Sequence, residues 1–522
     1  MEKKQKYENY PNIGQDEKEE MKMNAIEKRR DPIIKQTIIE KGLEQIRKKT
    51  KKIKRLKTKN LIIRILLIIL FTSIFLLIFK FSFKASKYYS SLIKGITKNQ
   101  NISLMKTQNK IITIGFYDVI HCDRKWRRVK TGYFYELPKY INKFRWVFLA
   151  KNGVDSICKN FTHVTFRNAN NFKNLERAVV ENKIDIIIQN EDENLKEHKY
   201  LIELKQKYGT KLVQIMHEYY FFFLIQYGSI AQYNYKWKPL KNYDVIISSV
   251  PCQIYMYHLQ QLNQSIYLPQ YLPFEYRTIQ PSKLENKIIL MIGRISPEKQ
   301  YELGIKAMTI IIKIFPDAIL KIIGGFNKYT ESLKKLAQDL NVLDNIMFYD
   351  SQQDLSPFYT NASLYFMTSS SESFSFVLAE SKAYGLANIV TGKEYLVLAK
   401  KGSIIVKHDD YEGMAYEAIK LFSNITYLKE QGKAARESLE DFLSEKIDLR
   451  YINLYESLMN GTSREFLDSE YKKYINETDN LKDLLNSLEL VKKKTPQKFH
   501  CLKFEDFLKP FETIKLSYCP KK

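Results

Sequence analysis

Cysteine is scarce in this sequence, and its placement gives it no evident shared role. The 522 residues include five cysteines, spread between Cys122 and Cys519 without a C-x-x-C pair. Metal sites and disulfide frameworks need closely spaced or evenly paired cysteines, so the pattern argues against both. A single Cys501–Cys519 bridge near the end of the chain is left open.

Glycine and acidic residues are also under-represented. The chain has 18 glycines, and the loop after its first predicted strand, Asp118 to Gly132, lacks the G-x-G-x-x-G fingerprint of dinucleotide binding. Lys and Arg outnumber Asp and Glu by 84 to 58, which gives a net charge of +26. Such an excess suits nucleic acid, anionic membranes or phosphorylated substrates. Nucleic acid is disfavoured because neither zinc-finger spacing nor an RRM-type aromatic motif is present.

One long hydrophobic run, Leu61 to Phe79, contains Arg64 as its only charge. Its length is close to the roughly 20 apolar residues that cross a bilayer. Nine Lys or Arg residues lie in positions 46–60 against five in positions 80–98. The positive-inside rule therefore predicts a single-pass anchor over 60–80 that places the bulk of the chain across the membrane.

This topology gives the N-terminal region a simple organisation. Residues 1–59 are predicted to be a basic, disordered cytosolic tail, and residues 81–108 a stem. Sequons such as Asn263 and Asn361 are compatible with a lumenal position in the Golgi or the endoplasmic reticulum. A cytosolic position of the folded part is the alternative.

A parallel α/β domain is predicted over residues 109–276, because short β-branched runs alternate there with polar or helical segments. Ligands bind at the carboxyl ends of the strands in such sheets. His217 directly follows a strand and is predicted to face that crevice, with Glu218 orienting it. The basic loop from Asp118 to Gly132 either receives an anionic acceptor or is simply solvated. The predicted strands are Lys110–Asp118, Trp146–Ala150, Ile184–Gln189, Lys211–Met216 and Tyr243–Ser248.

A second strand series predicts another doubly wound domain over 277–445, followed by C-terminal helices and a tail over 446–522. Its loops carry cations. Arg294 and Lys299 lie five residues apart in a loop between a strand and a helix. Two long cations at a helix N-terminus can clamp a diphosphate. The predicted strands are Lys287–Ile292, Ala318–Ile323, Asn345–Tyr349, Leu364–Met367, Asn388–Val390 and Gly402–Val406.

The most informative stretch runs from Ser371 to Gly385. A polar loop, a short helix and a glycine stop are predicted there. Glu372 lies at the mouth of the loop and Glu380, eight residues later, lies on the helix. Hydroxyls and amide groups at a helix N-terminus suit an anionic, hydroxyl-rich ligand.

Taken together, these motifs resemble glycosyltransferase family 4, whose members have a GT-B fold of two Rossmann-like domains. The matching pieces span about residues 285–425 well, and reach 110–275 only in outline, chiefly at His217. They are Gly293-Arg294-x4-Lys299, Gly324-Gly325, Leu355-x3-Tyr359-x2-Ala362 and Glu372-x7-Glu380 followed by Ala383-x-Gly385.

The resemblance implies an enzyme that moves a sugar from a nucleotide-sugar donor to a glycan, lipid or protein acceptor with retention of configuration. It implies no cofactor and no metal. Arg294 and Lys299 would neutralise the diphosphate, Glu372 would contact sugar hydroxyls, Glu380 would hold the ribose, and His217 would face the reacting sugar. Further donor contacts would come from a set of loop residues, namely Gly324, Ser373, Phe374 and Ser375.

The chain also departs from the family pattern. Serines stand at 373 and 375 where the family favours glycine, Ala387 replaces a proline, and a Gly-Gly pair is reduced to Gly392. Glycine permits close approach of backbone to ligand. A second hypothesis is therefore a catalytically silent GT-B module that binds a sugar or nucleotide, or acts as a scaffold at a membrane.

Overall fold

The computed structural model describes residues 111–119, 141–152, 164–190, 195–217, 219, 221, 224, 238–270, 272, 274–499 and 503–505. The part from Asn109 to Lys522 forms one unit, separate from Met1–Gln108. The predicted anchor Leu61–Phe79, most of the basic loop after Asp118, and Glu218 lie outside the described residues. Within the described part, no helix combines the length and apolar character needed to cross a membrane.

A first parallel sheet is built from the amino-terminal part of this unit. Its strands are β1 (Thr113–Asp118), β2 (Arg145–Ala150), β3 (Thr165–Asn168), β4 (Ile186–Asn190), β5 (Lys211–Met216), β6 (Val245–Ser248) and β7 (Ser265–Tyr267). They pair in the order β3-β2-β1-β4-β5-β6-β7, and every pairing is parallel. The α-helices described between them are α1 (Phe172–Glu181), α2 (Leu195–Tyr208) and α3 (Pro251–Leu259).

Both faces of this sheet are buried, which explains its nearly continuous apolar strands. Along β2, Val147 and Leu149 belong to one hydrophobic cluster, whereas Trp146 and Phe148 belong to another. Side chains alternate across a strand, so the two clusters lie on opposite faces.

A second parallel sheet follows. Its strands are β8 (Ile288–Ile292), β9 (Ile319–Ile323), β10 (Ile346–Tyr349), β11 (Leu364–Met367), β12 (Ala387–Thr391) and β13 (Ile404–Val406). The order is β10-β9-β8-β11-β12-β13, again with every pairing parallel. The accompanying helices are α4 (Tyr301–Ile311), α5 (Lys328–Asp339), α6 (Ser356–Thr360), α7 (Phe376–Ala383), α8 (Val397–Lys400), α9 (Tyr411–Ser423) and α10 (Ile425–Glu437).

The chain then returns to the first sheet. Helices α11 (Ser444–Asn460), α12 (Ser463–Tyr474), α13 (Glu477–Lys494) and α14 (Pro496–Phe499) follow α10. Apolar residues of α11, such as Tyr451 and Leu454, join the cluster on one face of the first sheet. Helix α13 packs against α3. The C-terminal helices therefore pack against the first domain.

Both strand orders are those of doubly wound Rossmann-like domains, so the predicted fold of two such domains is confirmed. Each order reverses at one point, between β1 and β4 in the first sheet and between β8 and β11 in the second. A crevice opens at such a reversal, at the carboxyl ends of the strands, and is where ligands bind in open α/β sheets. The fold therefore contains two candidate ligand-binding crevices, one in each domain.

Candidate functional site

The loop between β11 and α7 is anchored to the loop after β8. Thr368 donates its hydroxyl to the Lys299 carbonyl at 2.6 Å. Ser370 donates both its amide, at 2.7 Å, and its hydroxyl, at 3.1 Å, to the Glu298 carbonyl. These serine and threonine hydroxyls are thus used to join two loops across the reversal point of the second sheet.

Lys299 and Glu372 meet at this junction. The Lys299 ammonium lies 2.6 Å from Glu372 Oε1, and the two side chains are 25% and 13% exposed. Burial raises the pKa of Glu372, but the attraction of Lys299 and its hydrogen bond, together with Ser369 and Lys393, brings it below the usual range. Glu372 is therefore ionised at neutral pH, beside a cation that can turn toward a ligand.

Arg294 is placed differently from Lys299. Its guanidinium lies 2.7 Å from the Glu298 carboxylate, four residues later, and its side chain is 70% exposed. Lys299 ends the short 3-10 helix Pro297–Lys299, and the two cations face different carboxylates, Glu298 and Glu372. The structure therefore does not bring Arg294 and Lys299 onto a common partner, as a two-cation clamp would require. Their binding of a donor diphosphate remains a prediction.

Gly324 allows a close approach of two loops. A Cβ at this position would lie 2.0 Å from the Gly293 carbonyl oxygen, so any side chain would push the loop after β9 away from the loop after β8. Gly324 is thus required for the shape of the site, whether or not its backbone contacts a ligand.

The short segment Ser373, Phe374 and Ser375 forms the entry to α7. Phe374 is buried and packs edge-on against Phe376 and Phe442, with centroids 5.2 and 5.7 Å away. Ser375 has φ of +71°, in the left-handed region that glycine adopts at lower cost. The backbone at this position therefore takes a glycine-like conformation although its residue is serine.

Glu380 lies on α7, and Gly385 beyond the helix has the left-handed φ of +69° predicted for its stop. Glu380 Oε2 accepts a hydrogen bond from the Tyr359 hydroxyl at 2.9 Å. Tyr359 is buried and stacks on Tyr384 with centroids 4.9 Å apart. Glu380 is therefore held by a rigid aromatic pair.

His217 lies at the carboxyl end of β5, in a chain of polar groups. Its Nε2 is 2.7 Å from Asn190 Oδ1, and its Nδ1 is 2.7 Å from Gln270 Nε2. Asn190 in turn donates its amide to Asp118 Oδ2 at 2.6 Å. Because the Asn190 oxygen faces the ring, Nε2 carries the proton and Nδ1 accepts from Gln270, which suits a neutral imidazole.

Two contacts join this region to the second domain. Ser249, which follows β6, donates its hydroxyl to the Ser373 carbonyl at 3.4 Å. The Tyr219 ring, two residues after His217, stacks on Tyr395 with centroids 4.5 Å apart. The Glu372 loop therefore faces the first domain.

Several residues of the site were not predicted from the sequence. Tyr395 exchanges two hydrogen bonds with the Glu372 main chain, both at 3.0 Å. Asp409 accepts from Gln300 at 2.9 Å and pairs with Lys493 and Lys494 of α13 at 2.9 and 2.8 Å. A tyrosine after a strand and an acidic residue before a helix carry no distinctive sequence signal, since their partners are distant in the chain.

Lys393 is a further unpredicted residue, and it is completely buried. Its ammonium donates to the Thr391 carbonyl at 2.9 Å and lies 3.4 Å from His408 Nε2. Burial lowers the pKa of Lys393 to about 7, although the nearby Glu372, Glu394 and Asp409 carboxylates oppose this change. The charge behind the Glu372 loop therefore varies near neutral pH.

The part of the chain that the structure describes contains no group of three or more His, Cys, Asp or Glu side chains able to hold a metal ion. What the geometry offers is a Lys–Glu pair, a held carboxylate and a hydrogen-bonded imidazole. Together they can hold an anionic ligand rich in hydroxyl groups.

The two sheets and these loops define a GT-B arrangement, and comparison with known proteins agrees. Residues 274–438 match the family described as "Glycosyl transferases group 1". Over 170 residues the chain is 31% identical to an uncharacterized glycosyltransferase of Haemophilus influenzae, covering 32% of this chain and 48% of that one. The chain thus spans about half the length of that relative. The similarity to group 1 glycosyltransferases therefore lies in the second domain.

Solved structures share the architecture across both domains. A glycosyltransferase from Rickettsia africae has a TM-score of 0.54 and 16% identity, with 67% of this chain and 99% of that chain covered. Anabaena Alr3699/HepE in complex with UDP-glucose has a TM-score of 0.53 and 13% identity, with 66% and 100% covered. At these identities the likeness concerns the fold.

Proposed function

We propose that the protein is a retaining glycosyltransferase that moves a sugar from a nucleotide-sugar donor to a glycan, lipid or protein acceptor. The observation that carries the proposal is the Lys299–Glu372 pair, 2.6 Å apart at the reversal point of the second sheet. Phosphate and sugar hydroxyls are the natural ligands of a cation and a carboxylate placed side by side.

In the proposed reaction the bond between the anomeric carbon and the donor diphosphate breaks, and a bond to an acceptor hydroxyl forms. The proton of the acceptor hydroxyl passes to an oxygen of the diphosphate, which departs as part of the nucleoside diphosphate. Lys299, aided by Arg294 once it turns from Glu298, neutralises the developing charge on the diphosphate. Positive charge placed beside the departing diphosphate stabilises the transition state, in which negative charge develops there.

Other residues orient the donor. Glu372 accepts hydrogen bonds from sugar hydroxyls, and Glu380, fixed by Tyr359, accepts from the ribose. Amides at Phe374 and Ser375 approach the sugar and phosphate. His217 faces the sugar from the first domain, with its orientation set by Asn190 and Gln270.

The acceptor side and the cellular position are also part of the proposal. We infer an acceptor bound by the first domain and a lumenal position in the Golgi or endoplasmic reticulum, with a single anchor over Leu61–Phe79. This rests on the sequence pattern. Glycosidase sensitivity at the sequons, with protease protection in intact vesicles, tests it.

Donor turnover by the purified full-length chain tests the function. Because the Anabaena protein was solved with UDP-glucose, UDP-glucose is the first donor to try, followed by other UDP-, ADP- and GDP-sugars. We expect Glu372→Gln to reduce turnover by roughly 100-fold or more, as losses of a transition-state contact do.

Asp317→Asn provides a matched control. It breaks an ion pair of similar length, Lys287–Asp317 at 2.8 Å, at the amino ends of β8 and β9, on the edge of the sheet opposite the site. Turnover by this variant should be unchanged. Donor binding without any wild-type turnover would instead favour the catalytically silent module.

A further inference from the structure

Tyr395 is bonded to the main chain of Glu372 in both directions. The Glu372 amide donates to the Tyr395 hydroxyl at 3.0 Å, and the same hydroxyl donates to the Glu372 carbonyl at 3.0 Å. One hydroxyl thus engages the donor and the acceptor of a single residue, which restrains the backbone on both sides of it.

The Tyr395 ring is itself held firmly. Its side chain is 6% exposed and stacks on Tyr219 at an interplanar angle of 25°. The Tyr219 hydroxyl lies 2.6 Å from Ser487 of α13 and 3.3 Å from Cys252 of α3. Burial raises the pKa of Tyr395 well above its usual range, so the hydroxyl keeps the proton that it donates.

The loop between β11 and α7, which carries Glu372, has few other restraints near this residue. It is anchored before Glu372, where Ser370 binds the Glu298 carbonyl, and it becomes helical only after Ser375. Ser375 adopts a left-handed conformation that is unfavourable for a serine. Glu372 lies between these points, with its carboxylate beside the Lys299 ammonium.

We propose that Tyr395 is a positioning residue, which fixes the Glu372 backbone so that its carboxylate is presented to the sugar of the donor. The inference deepens the proposed function and rests on it. The stack on Tyr219 makes this positioning depend on the first domain and on α13, so the Glu372 loop is set by both halves of the molecule.

Tyr395→Phe tests this, because it keeps the aromatic stack and removes both hydrogen bonds. We expect the Glu372 amide to exchange its hydrogen at least ~10-fold faster, since it loses its acceptor. Turnover of UDP-glucose, or of the donor found active above, should fall roughly 10- to 100-fold in kcat with KM for the donor changed by less than about 3-fold. When Glu372 is already replaced by glutamine, Tyr395→Phe should lower kcat by less than about 2-fold.

Tyr243→Phe is the matched control. Tyr243 is also a buried tyrosine with two hydroxyl hydrogen bonds, to Gln189 and to His198, but it lies in the first domain. Its removal should lower stability without altering kcat or the Glu372 amide.

These measurements distinguish a positioning role of Tyr395 from a purely structural one. An unchanged exchange rate at Glu372 overturns the inference even in an active enzyme. Equal losses of kcat in the two phenylalanine variants, or full additivity with Glu372→Gln, reduce Tyr395 to a structural residue. Absence of wild-type turnover overturns the proposed function and the catalytic part of this inference, while amide exchange still reports whether Tyr395 holds Glu372.

Discussion

The reversal points of the two sheets are bridged by different chemistry. In the second domain a lysine and a carboxylate, Lys299 and Glu372, meet at 2.6 Å between loops that follow neighbouring strands. In the first domain Asn190 donates to Asp118 at 2.6 Å, again between neighbouring strands, and passes the connection to His217 and Gln270. The two bridges have the same length. The first is an ion pair, whereas in the second an uncharged amide, Asn190, connects the Asp118 carboxylate to His217 and Gln270.

This difference suggests that the two regions bind different chemical groups. A cation beside an ionised carboxylate is suited to a charged ligand with hydroxyl groups, and the strength of the ion pair depends on pH and burial. A neutral imidazole fixed by two amides offers directed hydrogen bonds and little net charge. We therefore expect the two regions to respond differently to loss of a partner, to pH and to salt.

The largest effect is expected from Lys299→Met. It leaves the largely buried Glu372 carboxylate without its ion-pair partner, which should lower the free energy of unfolding by about 3 kcal/mol at neutral pH. Urea denaturation measures this, and turnover should fall with it. Lys287→Met is the control, because its partner Asp317 is 67% exposed and such surface pairs contribute about 0–1 kcal/mol.

The pH dependence sharpens this test. The pKa of Glu372 is lowered in the folded chain, so the stabilisation is present above the usual carboxyl pKa and is lost as pH falls through the lowered value. The gap between wild type and Lys299→Met should therefore narrow in acid. A gap that stays constant down to about pH 3 would contradict the assignment of the effect to this ion pair.

Lys393→Met should have the next largest effect, with the opposite sign. The folded pKa of Lys393 is about 7, below that of an exposed lysine, so the unfolded chain binds more protons between pH 7 and the usual lysine range. The lysine is thus most unfavourable at and below pH 7. We expect the variant to be more stable by on the order of 2 kcal/mol at about pH 6, with the gain shrinking toward about pH 10.

Thermal or urea denaturation at several pH values measures the Lys393 effect. Lys313→Met, at an exposed lysine of the same domain, is the control and should show little change at any pH. A gain that is independent of pH would mean that improved apolar packing, not removal of a buried charge, stabilises the variant.

The contrast between the domains also shows how far the sequence alone could lead. The β-branched runs predicted most strands to within two or three residues, and Glu372, Glu380 and Gly385 lie on the predicted loop, helix and stop. Strands β3 and β7 were missed because polar residues interrupt their short sequences, whereas β13, which is as short as β7, consists of three consecutive β-branched residues and was predicted. Short edge strands of this kind form through pairing with neighbours and leave little local signal.

The partners of charged and aromatic side chains were harder to predict. Their spacing suggested that Arg294 and Lys299 act together, but Arg294 forms an ion pair with Glu298, which lies between them in the sequence. The pairing of Tyr395 with Glu372 and Tyr219 joins residues from three loops. Contacts of this sort depend on how the strands are ordered in space, which no local pattern encodes.

The smallest effect is expected in the first domain, from His217→Leu. The substitution removes the partner of both Asn190 Oδ1 and Gln270 Nε2, and should cost about 1–2 kcal/mol in the free energy of unfolding. Because Asn190 and Gln270 bond to His217 through uncharged amide groups, the loss should be the same in about 0.05 M and about 0.5 M NaCl.

Gln270→Leu removes the His217–Gln270 hydrogen bond from the other side. The double variant should therefore lose about 1 kcal/mol less than the sum of the two single losses. Additive losses would show that the Gln270 bond does not hold His217, and a loss that fades with salt would show that charge holds it. Either result would contradict the proposed contrast with the Lys299–Glu372 bridge.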